Sequence, residues 1–340
     1  MFPQRWTRRP EGATWGDFGP DDELGRLNLL TPQKVLEGVA EVRVGRSFCL
    51  SLPLDRPGGM VLSAVRRPPR LAPLSFRAGK SGFNYALRCE DALRTDVFSD
   101  DEVSLATQYS THWDGLAHCG ATFDADGDGV PEDVFYNGFR AEADLAGPPA
   151  EDYRGARHLG IENMAARCVQ GRAVMIDLEA HFGRSGKVVG HAELMEAIVA
   201  DGIAVEPGDM VCLHTGFADM VLEMNGRPDR DLLFSTTSAL DGRDQTLLRW
   251  ITESGAVALI ADNYAVEALP ARSLPGVRCA ALPLHEHCLF RLGVHLGELW
   301  HLGELAAWLR AHGRTRFLLT APPLRLPGAV AAPTTPVATV

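Results

Sequence analysis

The second half of the chain alternates between short apolar runs and amphipathic segments. Four apolar runs each have the length of a buried strand, at 173–178, 210–213, 256–261 and 317–320. Three segments between or beside them repeat their apolar residues at helical spacing, at 191–200, 244–254 and 302–311. Buried strands interspersed with helices predict an α/β fold, with a mixed-strand core and surrounding helices.

The first part of the chain and its tail carry weaker signals. Thr31 followed by Pro32 predicts a helix start, because threonine is a good N-cap and proline suits the first helical position. The apolar face of this helix is expected to consist of Val35, Leu36, Val39 and Val42. Residues 46–54 alternate as in a half-buried strand, residues 55–85 predict a long loop or hairpin, and 322–340 predict an extended tail.

The domain organisation follows from where the candidate chemistry lies. Residues 1–30 are rich in glycine, proline and charge, and they predict an arm laid over the surface or onto a neighbouring subunit. The candidate site residues described below come from the first third and the last fifth of the chain. Two independent domains would separate them, so we predict a single catalytic domain over 31–340.

Composition narrows the class of protein. The 340 residues are 46% hydrophobic and 23% charged, which is typical of a soluble globular protein, and the net charge of −11 disfavours nucleic-acid binding. No run of about 18 apolar residues predicts a membrane span, and the N-terminal residues lack the apolar region of a secretory signal. The seven cysteines form no C-x-x-C pair, so a reducing, cytoplasmic location is expected.

Chemistry-bearing residues concentrate at 108–118, which read Gln-Tyr-Ser-Thr-His-Trp-Asp-Gly-Leu-Ala-His. If this segment is extended as far as Asp114, then Gln108, His112 and Asp114 project from one face and could ligate one divalent cation. If a helix begins near Asp114, His118 lies one turn away, beside the metal. A metal lowers the pKa of water and a nearby imidazole moves the proton, so the pattern indicates a hydrolytic site. A plain structural hydrogen bond between His112 and Asp114 is the alternative.

Separated motifs along most of the chain occur in the order found in one known family. Residues 108–118 match the signature H-x-G-T-H-x-D-x-x-x-H except that its first histidine is glutamine and its glycine is serine. The other matching segments are 15–32, 135–139, 205–209, 214–216, 262–267, 284–285 and 297–298. The chain thereby resembles the cyclase family, which includes bacterial kynurenine formamidase and isatin hydrolase.

The resemblance implies a fold and a reaction. The fold is a swivelling β/β/α-like core of mixed strands and helices. The reaction is hydrolysis of an amide or cyclic amide C–N bond by metal-activated water, similar to that of an arylformamidase. By the same resemblance His112 and Asp114 are metal ligands, and His118 is the general acid/base. A small-molecule substrate and a homodimer or homotetramer are also implied.

The resemblance leaves the number and kind of metal ions open. In two-metal members a later histidine and glutamate complete the second site, and these correspond to His285, or else His287, and to Glu298. Gln108 replaces a family histidine, and a neutral amide oxygen shifts the preference from zinc toward manganese or magnesium. Gln108 could equally not bind the metal at all. We expect one or two divalent ions per chain, Mn²⁺ or Zn²⁺.

Several further candidates and functions compete with this interpretation. Aromatic side chains near the motif either line a substrate pocket or belong to the core, namely Trp113, Tyr136 and Phe139. Cys119 could be a nucleophile, although no base and orienting group is evident for it. The same Lewis acid would serve a lactone hydrolase or a polyketide-type cyclase/dehydratase. Gln108 would also fit a non-catalytic ligand-binding member whose metal site has decayed.

Overall fold

The computed structural model describes residues 5–76, 79–146 and 155–340, so residues 1–4 of the predicted arm and 77–78 of the predicted loop lie outside it. The helices within these ranges are α1 (Pro32–Ala40), α2 (Ile161–Ala166), α3 (Leu178–Phe182), α4 (His191–Ala200), α5 (Phe217–Glu223), α6 (Arg230–Thr236), α7 (Gln245–Ser254), α8 (Pro283–His285) and α9 (Gly303–Ala311). A π-helical turn, Glu286–Leu292, continues α8.

The strands of the described ranges fall into one large sheet and several small ribbons. They are β1 (Ser47–Cys49), β2 (Arg70–Pro73), β3 (Tyr85–Ala86), β4 (Val97–Phe98), β5 (Asp101–Ser104), β6 (His112–Asp114), β7 (Ala121–Phe123), β8 (Glu132–Val134), β9 (Gln170–Asp177), β10 (Val188–Val189), β11 (Met210–His214), β12 (Ala239–Leu240), β13 (Ala258–Ala261), β14 (His295–Glu298), β15 (Arg316–Thr320), β16 (Ala331–Pro333) and β17 (Val337–Thr339).

In the described ranges the large sheet has nine strands in the order β1-β17-β15-β9-β11-β13-β14-β6-β16. Strands β9, β11, β13 and β14 run parallel to one another, and the outer strands are antiparallel to their neighbours. The four predicted apolar runs lie in β9, β11, β13 and β15, and the three amphipathic segments coincide with α4, α7 and α9. The predicted α/β class, with a mixed-strand core and surrounding helices, is confirmed.

Both faces of the sheet are covered by core side chains. On β9, Val174 and Ile176 point into one hydrophobic cluster, whereas Ala173 and Met175 point into a second cluster on the other face. Strands covered on both faces read as continuous apolar runs, because neither set of alternating side chains meets water. Because both faces of these strands are buried, the strands could be identified from the length of their continuous apolar runs.

Helix α1 begins where the sequence predicts but buries a different face. The hydroxyl of Thr31 accepts a hydrogen bond from the Lys34 backbone N–H at 3.3 Å, as an N-cap should. The predicted apolar face is wrong, since Leu36 and Val39 are 61% and 49% exposed. Lys34 and Gly38 are buried instead, because the Lys34 ammonium lies 3.1 Å from the buried Asp209 carboxylate and Gly38 packs against backbone.

Residues near the N-terminus take part in the core. Trp15 is fully buried, its indole N–H donates to the Phe290 carbonyl at 2.7 Å, and the two rings meet edge to face at 5.1 Å. Leu27 is also fully buried. The predicted extended tail enters the large sheet through β16 and β17. No described helix has both the length and the apolar character that crossing a bilayer requires.

A buried histidine ties the carboxyl end of β11 to its surroundings. His214 is 4% exposed, with its Nδ1 2.8 Å from Asp177 Oδ1 and its Nε2 3.3 Å from Asp219 Oδ2. Burial by itself would lower the pKa of His214, but the hydrogen bonds to Asp177 and Asp219 raise it to about 10. His214 is therefore positively charged at neutral pH and links β9, β11 and α5.

This pairing predicts a stability that depends on pH. His214→Gln should lower the free energy of unfolding by about 3 kcal/mol at pH 6, because two carboxylates lose their buried partner. The folded-state pKa lies above the unfolded value of about 6.5, so the contribution is complete below that pH and is lost as the pH rises toward 10. Urea denaturation of both proteins at pH 6, 8 and 9.5 measures this.

The matched control is His191→Gln, whose ring has no hydrogen-bond partner within the described ranges. This variant should show no pH-dependent difference from the wild type. A stability gap between wild type and His214→Gln that stays constant from pH 6 to 9.5 would show that His214 is not a buried cation.

Candidate metal centre

Two adjacent strands bring the first candidate ligands together. Strand β6 pairs antiparallel with β14, and His112 lies directly opposite Glu298. Because side chains alternate along a strand, His112 and Asp114 share one face of β6 with Glu298 of β14, while Trp113 points to the other face. The extended geometry predicted for this segment places the histidine and the carboxylates where they can act together.

The three side chains surround a small volume at ligand-like distances. His112 Nε2 lies 3.6 Å from Asp114 Oδ1 and 3.6 Å from Glu298 Oε2. All three residues are buried, with at most 2% of any of them exposed. These separations are too long for hydrogen bonds but match the roughly 3–4 Å between ligands that bind one ion at about 2.0–2.2 Å.

Two polar atoms of this group have no partner in the described structure. His112 Nδ1 donates to the Ser110 carbonyl at 2.7 Å, which leaves Nε2 as the ring's lone-pair atom. That Nε2 and Asp114 Oδ2 are buried without a hydrogen bond. A lone pair buried against two carboxylates costs free energy unless a cation lies between them. The residues present therefore fit a divalent metal.

His285 joins the group from the short helix α8. Its Nε2 lies 3.2 Å from Glu298 Oε1 and 3.9 Å from Asp114 Oδ2. Burial would lower the pKa of His285, but hydrogen bonds to Glu267 and Glu298 raise it to about 10. His287, the other possibility in the sequence, turns away and places its Nε2 3.0 Å from the Thr252 hydroxyl. The structure thus brings His285 and Glu298 to the site, and not His287.

Glu267 fixes His285 in place. Its carboxylate accepts hydrogen bonds from His285 Nδ1 at 2.8 Å and from the backbone N–H groups of Leu284 and His285 at 3.1 and 3.0 Å. This hydrogen bond holds the ring with Nε2 directed at the centre, where binding of a metal would displace the Nε2 proton. Glu267 lies in the 262–267 motif, but its role was not predicted from the sequence because it depends on contact with a residue 18 positions away.

Glu267→Gln is expected to weaken metal binding about 10–100-fold, because the amide cannot hold the His285 ring as the carboxylate does. Competition against a fluorescent chelator measures the dissociation constant for Zn²⁺ or Mn²⁺. Glu286→Gln is the matched control, since Glu286 pairs with Arg291 rather than with the centre. Equal metal affinity in Glu267→Gln and Glu286→Gln would show that Glu267 does not support the site.

His118 lies at the rim of the centre. A turn follows β6, in place of the helix that the sequence left as one possibility, and the His118 backbone N–H donates to the Gly115 carbonyl at 3.0 Å. His118 Nε2 lies 3.9 Å from Asp114 Oδ2, and 21% of its side chain is exposed. Burial lowers the pKa of His118 below its ordinary value, and the attraction of Asp114 only partly offsets this. The imidazole is therefore neutral at neutral pH.

Gln108 contacts the centre through its nitrogen. The amide N–H donates to Asp114 Oδ1 at 2.5 Å, and Gln108 Nε2 lies 3.3 Å from the ring nitrogens of His118. The oxygen that was predicted to be a ligand is thus not directed at the cation site. Gln108 instead orients the Asp114 carboxylate, which corresponds to the alternative in which it does not bind the metal.

The aromatic candidates lie in the core instead of lining a substrate pocket. The Trp113 indole donates to the Ala321 carbonyl at 2.8 Å and meets the Trp300 ring at 5.0 Å on the opposite face of the sheet. The Tyr136 hydroxyl donates to Asp22 at 3.1 Å. Phe139 stacks on the His158 ring at 4.9 Å. All three are at most 1% exposed, so they offer a substrate no surface.

Two other side chains complete the surroundings of the motif. Burial raises the pKa of the Cys119 thiol to about 12, so this thiol is protonated at neutral pH and unsuited to act as a nucleophile. Arg66 donates from Nη1 to the Gln108 carbonyl at 3.1 Å. Arg66 was not among the predicted site residues, because no local sequence pattern places a loop arginine there.

Comparison with known proteins agrees with this description. The Cyclase family model matches residues 49–268, which is more than half of the chain. A crystal structure described as a novel cyclase has a TM-score of 0.75 and 29% identity, and the likeness covers 96% of this chain and 97% of that one. No curated protein matches the chain significantly.

Two isatin hydrolase structures share the fold at lower identity. Isatin hydrolase A from Ralstonia solanacearum has a TM-score of 0.56 and 14% identity, over 91% of this chain and 97% of that one. An isatin hydrolase bound to the product analogue thioisatinate has a TM-score of 0.53 and 13% identity, over 91% and 99%. With the family match, the fold and the order of the motifs in agreement, the chain belongs to the cyclase family.

Proposed function

We propose that this member of the cyclase family is a metal-dependent hydrolase that cleaves an amide or cyclic amide C–N bond, in the manner of an arylformamidase. One observation carries the proposal. The buried lone pair of His112 faces two carboxylates, an arrangement that a divalent cation stabilises, and a neutral imidazole lies beside it at the rim. Amide hydrolysis requires a group that activates water, such as a Lewis acid, and a group that transfers the proton to the leaving nitrogen.

The residues that would hold the metal are His112, Asp114 and Glu298, with His285 adjacent. Two overlapping groups of possible ligands share Asp114, because His118 and His285 lie on its other side. The first group alone leaves His118 free for proton transfer, so we propose one ion there. A second ion at the other group would take His118 as a ligand. Mixed imidazole and carboxylate donors suit Zn²⁺ or Mn²⁺. When bound, such an ion lowers the pKa of water and polarises a carbonyl.

His118 is the proposed general acid/base. Its neutral imidazole accepts a proton as water adds to the carbonyl, and it then returns that proton to the leaving nitrogen. An amide nitrogen leaves poorly unless it is protonated, so the second transfer matters as much as the first. Partial exposure of the ring, 21%, also lets it exchange protons with solvent between turnovers.

The test combines metal content with a substrate series. Purified protein is stripped of metal, reconstituted with Mn²⁺ or Zn²⁺, analysed for metal, and assayed on an aryl formamide, the cyclic amide isatin and an aryl lactone. We expect near-stoichiometric metal and metal-dependent cleavage of at least one amide. Cleavage of the lactone alone would favour a lactone hydrolase. Absence of metal after reconstitution would favour a non-catalytic ligand-binding member.

A further inference from the structure

Arg66 lies beside the metal centre without an acidic partner. Its Nη1 donates to the Gln108 carbonyl at 3.1 Å, and its guanidinium carbon lies 5.4 Å from the centre of the Tyr264 ring. Within the described ranges no carboxylate oxygen lies within 4.0 Å of its nitrogens. By contrast, the buried Arg172 is paired with several carboxylates. The remaining N–H groups of Arg66 are therefore available to a ligand.

The loop that carries Arg66 is anchored against the body of the protein. The Tyr109 hydroxyl donates to the Gly59 carbonyl at 2.8 Å, and Arg230 donates to the Leu62 carbonyl at 2.8 Å. Arg66 and Tyr109 line a small cavity together with Gln108 and Tyr264. Because Gln108 also contacts Asp114 and His118, this cavity and the catalytic groups are separated by one glutamine side chain.

The charges around the centre indicate what kind of ligand Arg66 could bind. The proposed divalent ion and His285 largely balance the carboxylates of Asp114, Glu298 and Glu267, so Arg66 is left as a cation with which an anionic ligand can pair. Arg66 is one residue away from the catalytic groups, because it contacts the backbone of Gln108, whose side chain contacts Asp114 and His118. Arginine presents several donors in a planar fork that matches a carboxylate, which makes it suited to holding one.

We propose that Arg66 determines specificity by binding a carboxylate that the substrate carries outside the scissile bond. The preferred substrates are then amides of acidic molecules rather than neutral amides. This inference rests on the proposed function, because it names the substrate class of the same site.

The test compares two substrates with the same scissile formamide, N-formyl-phenylalanine and its neutral carboxamide. The ratio of kcat/KM for the acid to kcat/KM for the carboxamide should fall about 10–100-fold in Arg66→Gln, mainly through KM for the acid. Arg67→Gln is the matched control, since Arg67 is the next residue and is exposed. An unchanged ratio in Arg66→Gln, or an equal fall in Arg67→Gln, would overturn the assignment.

A binding measurement separates this inference from the hydrolase proposal. Metal-loaded wild type, Arg66→Gln and Arg67→Gln are titrated with benzoate and with benzamide in a calorimeter, after their metal contents have been shown to be equal. Benzoate should bind at least tenfold more weakly to Arg66→Gln than to the other two proteins. That result supports the anion site even if no amide is cleaved. Equal benzoate affinity in all three proteins would refute it.

Discussion

Asp114→Ala is expected to leave the reconstituted protein without bound metal and without turnover. Asp114 belongs to both groups of possible ligands, and it is 1% exposed with one oxygen unpartnered. The substitution removes the one carboxylate that lies within 4 Å of all three histidines, His112, His118 and His285. A site with so few ligands cannot bind the metal tightly once Asp114, which both ligand groups share, has been removed. Elemental analysis after reconstitution and dialysis measures the result.

Two further variants keep this prediction separate from a folding defect. Asp114→Asn preserves the shape of the side chain and removes its charge, and it should also lose the metal while retaining the circular dichroism of the wild type. Asp101→Ala removes an exposed carboxylate on β5 and should retain both metal and turnover. If both Asp114→Asn and Asp114→Ala retained near-stoichiometric metal, Asp114 would not be a metal ligand and the ion would bind elsewhere.

The fold was predictable where burial alone decides the pattern. The strands of the central sheet are covered on both faces, so run length was enough to find β9, β11 and β13. The face of α1 was not predictable, because its orientation depends on two tertiary contacts. Lys34 reaches a buried carboxylate, and Gly38 allows the helix backbone to approach β9 closely. Neither contact can be predicted from the spacing of apolar residues in the sequence.

The candidate site was predictable only in its local part. Alternation along one strand places His112 and Asp114 together, and the same alternation turns Trp113 to the other face. The prediction that Trp113 lines the pocket was therefore inconsistent with the strand alternation that places His112 and Asp114 on the opposite face. Glu298 and His285 reach the site through strand pairing and a helix end nearly two hundred residues away, so only the family resemblance pointed to them.

His118→Ala is expected to lower kcat about 10²–10⁴-fold while the metal content stays at the wild-type level. His118 is the one histidine of the group that has solvent access, and its lowered pKa keeps it neutral, as a proton acceptor must be. It contacts the centre only at 3.9 Å from Asp114, so its loss leaves His112, Asp114 and Glu298 in place. Steady-state kinetics and elemental analysis on the same samples measure both effects.

Chemical rescue distinguishes proton transfer from a structural role. The truncated side chain leaves space at a partly exposed rim, so added imidazole should restore part of the lost kcat in His118→Ala and change nothing in Asp114→Ala. His191→Ala, at the start of α4 and away from the site, should keep full activity and show no response to imidazole. Full activity in His118→Ala would refute the general acid/base assignment. Loss of metal in that variant would instead make His118 a ligand, and the proton would then need another carrier.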